Sequence, residues 1–144
     1  MSRLPDFEII KRYREYGAFP LRLLIGAELI RGTQDNVFSY GRMLEFAGFL
    51  GGHGVPFPLF GAFLSAYAQF LCGILLILGL AVRPAAAVMV VNFAAALLIA
   101  HRATPYQATY PALLMLAAAL LFLFQGAGKP SLDDWLERRR HGNP

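Results

Sequence analysis

The sequence predicts an all-α integral membrane protein, a four-helix bundle with a short interfacial helix between spans 1 and 2. Three observations carry this expectation. Apolar residues make up 57% of the 144-residue chain and charged residues only 15%, with a mean hydropathy of +0.50, well above an average soluble domain. Four stretches meet or approach the roughly 20 apolar residues needed to cross a hydrocarbon core about 30 Å thick. Within three of them, at 71–80, 85–100 and 112–124, there is no charge at all, and helices apolar on every side belong in lipid.

The spans are expected at residues 19–38, 57–80, 84–101 and 106–124. The chain then divides into an N-terminal tail (1–18), a four-span domain (19–125) and a C-terminal tail (126–144). Span 1 is the least apolar, because Arg22, Glu28, Arg31 and Asp35 interrupt it. Pro20, Pro58 and Pro84 stand in first turns, where a missing N–H costs nothing, and Gly79, Gly126 and Gly128 suit helix exits. Arg83-Pro84 is accordingly expected as a tight turn between spans 2 and 3. No cleavable signal peptide is expected, since the first sixteen residues are polar and no small-residue cleavage site follows. Between spans 1 and 2, Met-Leu-Glu-Phe-Ala-Gly-Phe-Leu at 43–50 precedes Gly-Gly-His-Gly-Val-Pro, which reads as a short helix lying in the outer interface.

Orientation follows from the basic residues. Four spans put both tails and Arg83 on one side, with ten Lys and Arg, and leave only Arg31, Arg42 and Arg102 on the other. That bias predicts both termini in the cytoplasm. The net charge of +4 is thus topological. The basic residues are scattered over tails without an organised module, which excludes nucleic-acid binding.

An acid in mid-span is the feature most suggestive of function, because an ionisable group at that depth costs about 3 kcal/mol or more and usually faces a bundle interior. Glu28 occupies the middle of span 1, Gln69 that of span 2 and Asn92 that of span 3, so the three are expected at a similar level. Glu28, Arg31 and Asp35 share one face by spacing. Gly61, Ser65, Gln69, Cys72 and Gly79 form a small, polar stripe of the type that packs membrane helices closely. Two readings stay open for the candidate cluster Glu28, Arg31, Gln69 and Asn92. It fixes the bundle by hydrogen bonding, or it lines a pocket for a small polar group, a quinone head or a proton.

Secondary candidates are Asp35, Cys72 and His101. Cys72 is the only cysteine, so no dithiol cycle can run within one chain. Paired metal ligands at convincing spacing are lacking, and no metal is expected. Catalytic residues are not assignable.

The order of residues resembles the DoxX family of small four-helix bacterial membrane proteins. The pieces that carry it are Arg-Leu-Leu-Ile-Gly-Ala-Glu-Leu-Ile-Arg-Gly-Thr-Gln-Asp-Asn at 22–36, Pro-Phe-Pro-Leu at 56–59, the run at 68–86, His101, and Gly-Ala-Gly-Lys-Pro-Ser-Leu-Asp at 126–133. The chain departs from the family pattern where it has Arg31-Gly32-Thr33-Gln34-Asp35 in place of His-Gly-x-x-Lys. It departs again at Gln69 and Thr109, where acids are usual. The resemblance implies a subunit or accessory of a membrane redox system, quinone-linked or concerned with thiol stress, with the bilayer and an oxidoreductase as partners. A small proton or solute carrier acting as a homo-oligomer, or a structural assembly factor, are the alternatives.

Overall fold

The computed structural model describes residues 8–100 and 102–142, and among these all regular structure is helical. The order is α1 (Glu8–Arg12), a 3-10 turn (Arg14–Tyr16), α2 (Ala18–Phe38), α3 (Tyr40–Gly52), α4 (Pro58–Leu78), α5 (Val82–Ala100), α6 (Tyr106–Gln125) and α7 (Leu132–His141). His101 lies outside the described residues. Three helices, α4, α5 and α6, are long and apolar enough to cross a membrane. The fourth expected span, α2, has 21 residues and is about 31 Å long, but its charges set it apart in composition.

Local chemistry explains most helix ends. Ser39 breaks α2 from α3 in extended conformation (φ −132°, ψ 115°), and its hydroxyl accepts from the Arg42 N–H as the α3 cap. Pro58 opens α4 at its first position. Gly79 closes α4 in the left-handed region (φ 68°), with the Leu80 N–H on the Leu75 carbonyl at 3.0 Å and the Gly79 N–H on Leu76 at 3.2 Å, a Schellman ending. The turn between α4 and α5 is therefore Gly79, Leu80 and Ala81. Arg83-Pro84, expected as that turn, instead lies in the first helical turn of α5.

Packing follows small residues. The most extensive contact joins α2 to α4, and it closes on Gly26 and Gly73: a Cβ on Gly26 would stand 2.7 Å from the Gly73 carbonyl oxygen, and one on Gly73 would stand 2.8 Å from that of Gly26. Arg22 lies by Gly79 and Gly26 by Gly73, so the two helices run antiparallel. A core of Leu29, Leu76, Ala86, Met89, Ala119 and Phe122 joins α2, α4, α5 and α6. The intervening helix α3 packs on the first half of α4 through Met43, Ala47, Ala62 and Ala66, a second, separate core. Elsewhere the long helices turn large apolar side chains outward, among them Leu64, Leu71, Val91, Leu98, Leu114 and Phe124, as lipid-facing helices do.

The stretch expected as a C-terminal tail is folded. Ser131 caps α7 by accepting from the Asp134 N–H, an arrangement written in Ser131-Leu132-Asp133-Asp134. Asp133 and Asp134 occupy the first turn, and Arg138, Arg139, Arg140 and His141 the last, the order that the helix dipole favours.

Candidate functional site

Polar side chains in the long helices fall into two groups. In the first, the Ser65 hydroxyl donates to Asn92 Oδ1 at 2.8 Å, and Gln69 Nε2 donates to Ser65 Oγ at 3.1 Å. The polar stripe of α4 therefore faces α5 in its middle. Lower on the same stripe, Cys72 is buried with its Sγ 3.6 Å from the Ala85 carbonyl. Ser65 was part of the predicted stripe but not of the predicted cluster, and it is the bridge between the two amides. Such bonds between membrane helices average about 0.6 kcal/mol and reach about 1.7. Replacing Asn92 by Leu is expected to lower stability by an amount in that range, read as a small drop in the detergent melting temperature.

Glu28 belongs to the second group. Its carboxylate takes the Arg31 guanidinium, with Nη2 at 2.5 Å and Nε at 3.2 Å. Arg31 is 72% exposed and Glu28 38% by side chain. Among the described residues no hydrogen bond joins this pair to Gln69 or Asn92. The reason is angular. The packed face of α2 is Ala18, Arg22, Gly26, Leu29 and Thr33, and at about 100° per residue Glu28, Arg31 and Asp35 stand on the opposite side. Level differs little: with Gly26 on Gly73 in antiparallel helices, Glu28 stands about two residues, roughly 3 Å, from the level of Gln69, so it is the angle that separates them.

The interior between these groups is closed. A void on the bundle axis, lined by Ile25, Leu29, Leu76, Met89, Phe93, Met115 and neighbouring apolar side chains, measures about 10 Å³. That is at the lower limit for one water molecule.

A larger space lies at the end of the bundle where α2 begins, α4 turns into α5 and α6 gives way to α7. This cleft of about 920 Å³ is lined by Arg14, Glu15, Arg83, Lys129, Asp133, Asp134, Glu137 and Arg140, among others. A strap of residues 126–134 builds its wall. Arg22 is 1% exposed and holds the strap from below, giving Nη1 to the Ala127 carbonyl at 2.6 Å and Nη2 to that of Pro130 at 2.7 Å. Among the described residues its Nε has no partner. The Asp133 carboxylate accepts the Ala81 N–H at 2.8 Å and the Val82 N–H at 3.2 Å, so α5 takes its cap from a residue 51 positions away. The pairing of Ala81 with Asp133 also holds Ala81 at a positive φ of 49°, unusual for a side chain with a Cβ.

Electrostatics in the cleft is mixed. Lys129 donates to Glu15 at 2.8 Å, and that hydrogen bond raises the ammonium's pKa above its ordinary value. Asp134 pairs with Arg138 at 2.6 Å. Arg14 and Arg140 have no carboxylate within bonding reach among the described residues, and Arg83 has only the Phe124 carbonyl at 3.4 Å. Sequence reading treated Arg22 as one more topological charge and did not single out Asp133 or Lys129. The Ser-x-x-Asp cap was the legible signal; the partners of Arg22 left none.

Apolar helices with outward apolar faces, around a closed core, define a small membrane protein. The chain matches the family described as DoxX over residues 17–102, from the residue before α2 to just past α5. It belongs to the DoxX family. The strap, α6 and α7 lie beyond the matched segment. No curated protein and no solved structure matches it.

Proposed function

We propose that the chain is a four-span accessory subunit of a membrane redox system, with α2 as the first span and both ends of the chain in the cytoplasm of a bacterial inner membrane. The observation that carries the subunit reading is the charged cleft of about 920 Å³, whose wall is pinned from inside by Arg22 and Asp133. A rigid surface with both signs of charge offers orientation to a protein partner. Antiparallel packing of α2 along α4 supports the fourth span. The ten-to-three excess of basic residues on the cleft side supports the orientation. The redox half of the reading comes from the family resemblance alone.

Quinone does not fit the void on the bundle axis. A void of about 10 Å³ lined by apolar groups has neither the room for a quinone ring nor a donor for its oxygens, so no electron path is assigned through the bundle.

Affinity capture of the full chain from its native membrane, after mild cross-linking, tests the reading. A dehydrogenase or thiol oxidoreductase is expected in stoichiometric amount, and Arg14→Glu combined with Arg83→Glu should reduce its recovery about tenfold, the equivalent of roughly 1.4 kcal/mol. Recovery of the chain alone, or of a partner without redox chemistry, would overturn it.

A further inference from the structure

The outward side of α2 has the spacing of a helix–helix seam. Leu24, Glu28, Arg31 and Asp35 follow one another at steps of four, three and four, the alternation by which one helix presents a continuous stripe to another. Leu24 is 60% exposed, Arg31 and Asp35 are exposed, and all four stand opposite the side that packs on α4. The charges on the stripe are incompletely used. Arg31 spends Nε and Nη2 on Glu28, leaving Nη1 free, and Asp35 has no cation partner among the described residues.

Left against hydrocarbon, this stripe is costly. Charged residues at helix centres cost about 2.5–3.5 kcal/mol each on insertion scales, and in membranes they turn to a protein interior or a water-filled cavity. The other exposed residues of the long helices are overwhelmingly apolar, so the stripe is an exception confined to one side of one helix. Something other than lipid covers it.

We propose that a second copy of this chain covers it, in a parallel dimer whose two-fold axis runs beside α2 along the membrane normal. This rests on the reading of α2 as a span. Copies inserted with the same topology bring identical stripes together at the same depth, as an isologous interface requires. The stripe is self-complementary in that setting. Arg31 has an acid one turn below it, Glu28, and another one turn above, Asp35, so the free Nη1 of each copy reaches a carboxylate of the other. Leu24 of each copy closes the seam below the charges. The result is a network across the two α2 helices of two guanidiniums and four carboxylates, each guanidinium placed diagonally between acids of the two copies rather than against lipid.

The test uses full-length protein in bilayers. Leu24→Cys should form a disulfide-linked dimer on mild oxidation, while Val91→Cys, 70% exposed on α5, should not. Glu28→Arg and Arg31→Glu, each expressed alone, should lose association about tenfold or more. Differently tagged and expressed together they should recover it, because one stripe is then wholly basic at these positions and the other wholly acidic, a pairing that no contact within a single helix can mimic. Cross-linking of Leu24→Cys no better than Val91→Cys overturns the dimer, as does failure of the mixed pair to exceed either variant alone. If the charge variants do not accumulate, the cysteine pair decides. Labelling of Ala27→Cys by a water-soluble maleimide separates the two ideas: reaction removes α2 from the membrane and both ideas with it, whereas protection without cross-linking removes only the dimer.

Discussion

Replacing Arg22 with alanine is expected to cost the fold about 3–5 kcal/mol, the range for removing one member of a buried charged network. The guanidinium is almost wholly enclosed and donates to two carbonyls of the strap, Ala127 and Pro130. Hydrogen bonds to charged groups are worth about 1.5–3 kcal/mol each. Truncation loses both, leaves two carbonyls without a donor and takes the positive charge away from Asp133. Working the other way, the substitution relieves Nε, which has no acceptor among the described residues, at about 1–3 kcal/mol, so the net remains a loss. Lysine at this position should recover little, because a single ammonium cannot span two acceptors as a planar fork does. Thermal unfolding in detergent, followed by helical circular dichroism, measures the effect. A melting temperature within a degree or two of the native protein would remove Arg22 from its anchoring role.

The second large effect is expected at Gly26. A Cβ there meets the Gly73 carbonyl oxygen and Ile77 Cγ1, both at 2.7 Å. Backbone cannot yield as a flexible side chain does, so α2 and α4 must separate. Gly26→Ala should cost about 1–3 kcal/mol, the usual price of overpacking, and Gly26→Leu more. Gly73→Ala forces the same separation, because its Cβ meets the Gly26 carbonyl at 2.8 Å. The double alanine variant should therefore fall short of the sum of the singles. Gly48→Ala is the control: nothing lies within 4 Å of a Cβ there, and alanine in mid-helix is better than glycine by up to about 1 kcal/mol. Equal melting temperatures for Gly26→Ala and Gly48→Ala would show that the glycine contact does not set the spacing of the helices.

Helices α4, α5 and α6 were legible because their apolar runs and their proline and glycine ends are local properties. The polar stripe on α4 was legible too, and its middle does face α5. Which side of α2 turns inward was not. Periodicity correctly grouped Glu28, Arg31 and Asp35 on one face, but it is silent on whether that face meets a neighbour, and the inward face of α2 is held instead by Gly26 and Arg22. The expected meeting of Glu28 with Gln69 and Asn92 assumed that mid-span means mid-bundle. The α4–α5 turn was displaced by three to four residues for a related reason: its cap comes from Asp133, and no local pattern around Arg83-Pro84 encodes an acceptor so far along the chain. The strap is the largest omission, since a charged, glycine-containing C-terminal segment has the composition of a tail until its acceptors for Arg22 are known.

Those acceptors also set a clock. Ala127 and Pro130 lie 105 and 108 residues after Arg22, so at about 5–20 residues per second of synthesis the guanidinium emerges roughly 5–20 s before the carbonyls that will hold it. Until then it keeps its hydration only by staying at the water surface. Final seating of the N-terminal end of α2 is therefore among the last events of assembly, and a chain that terminates before the strap is made carries an arginine with nowhere to go.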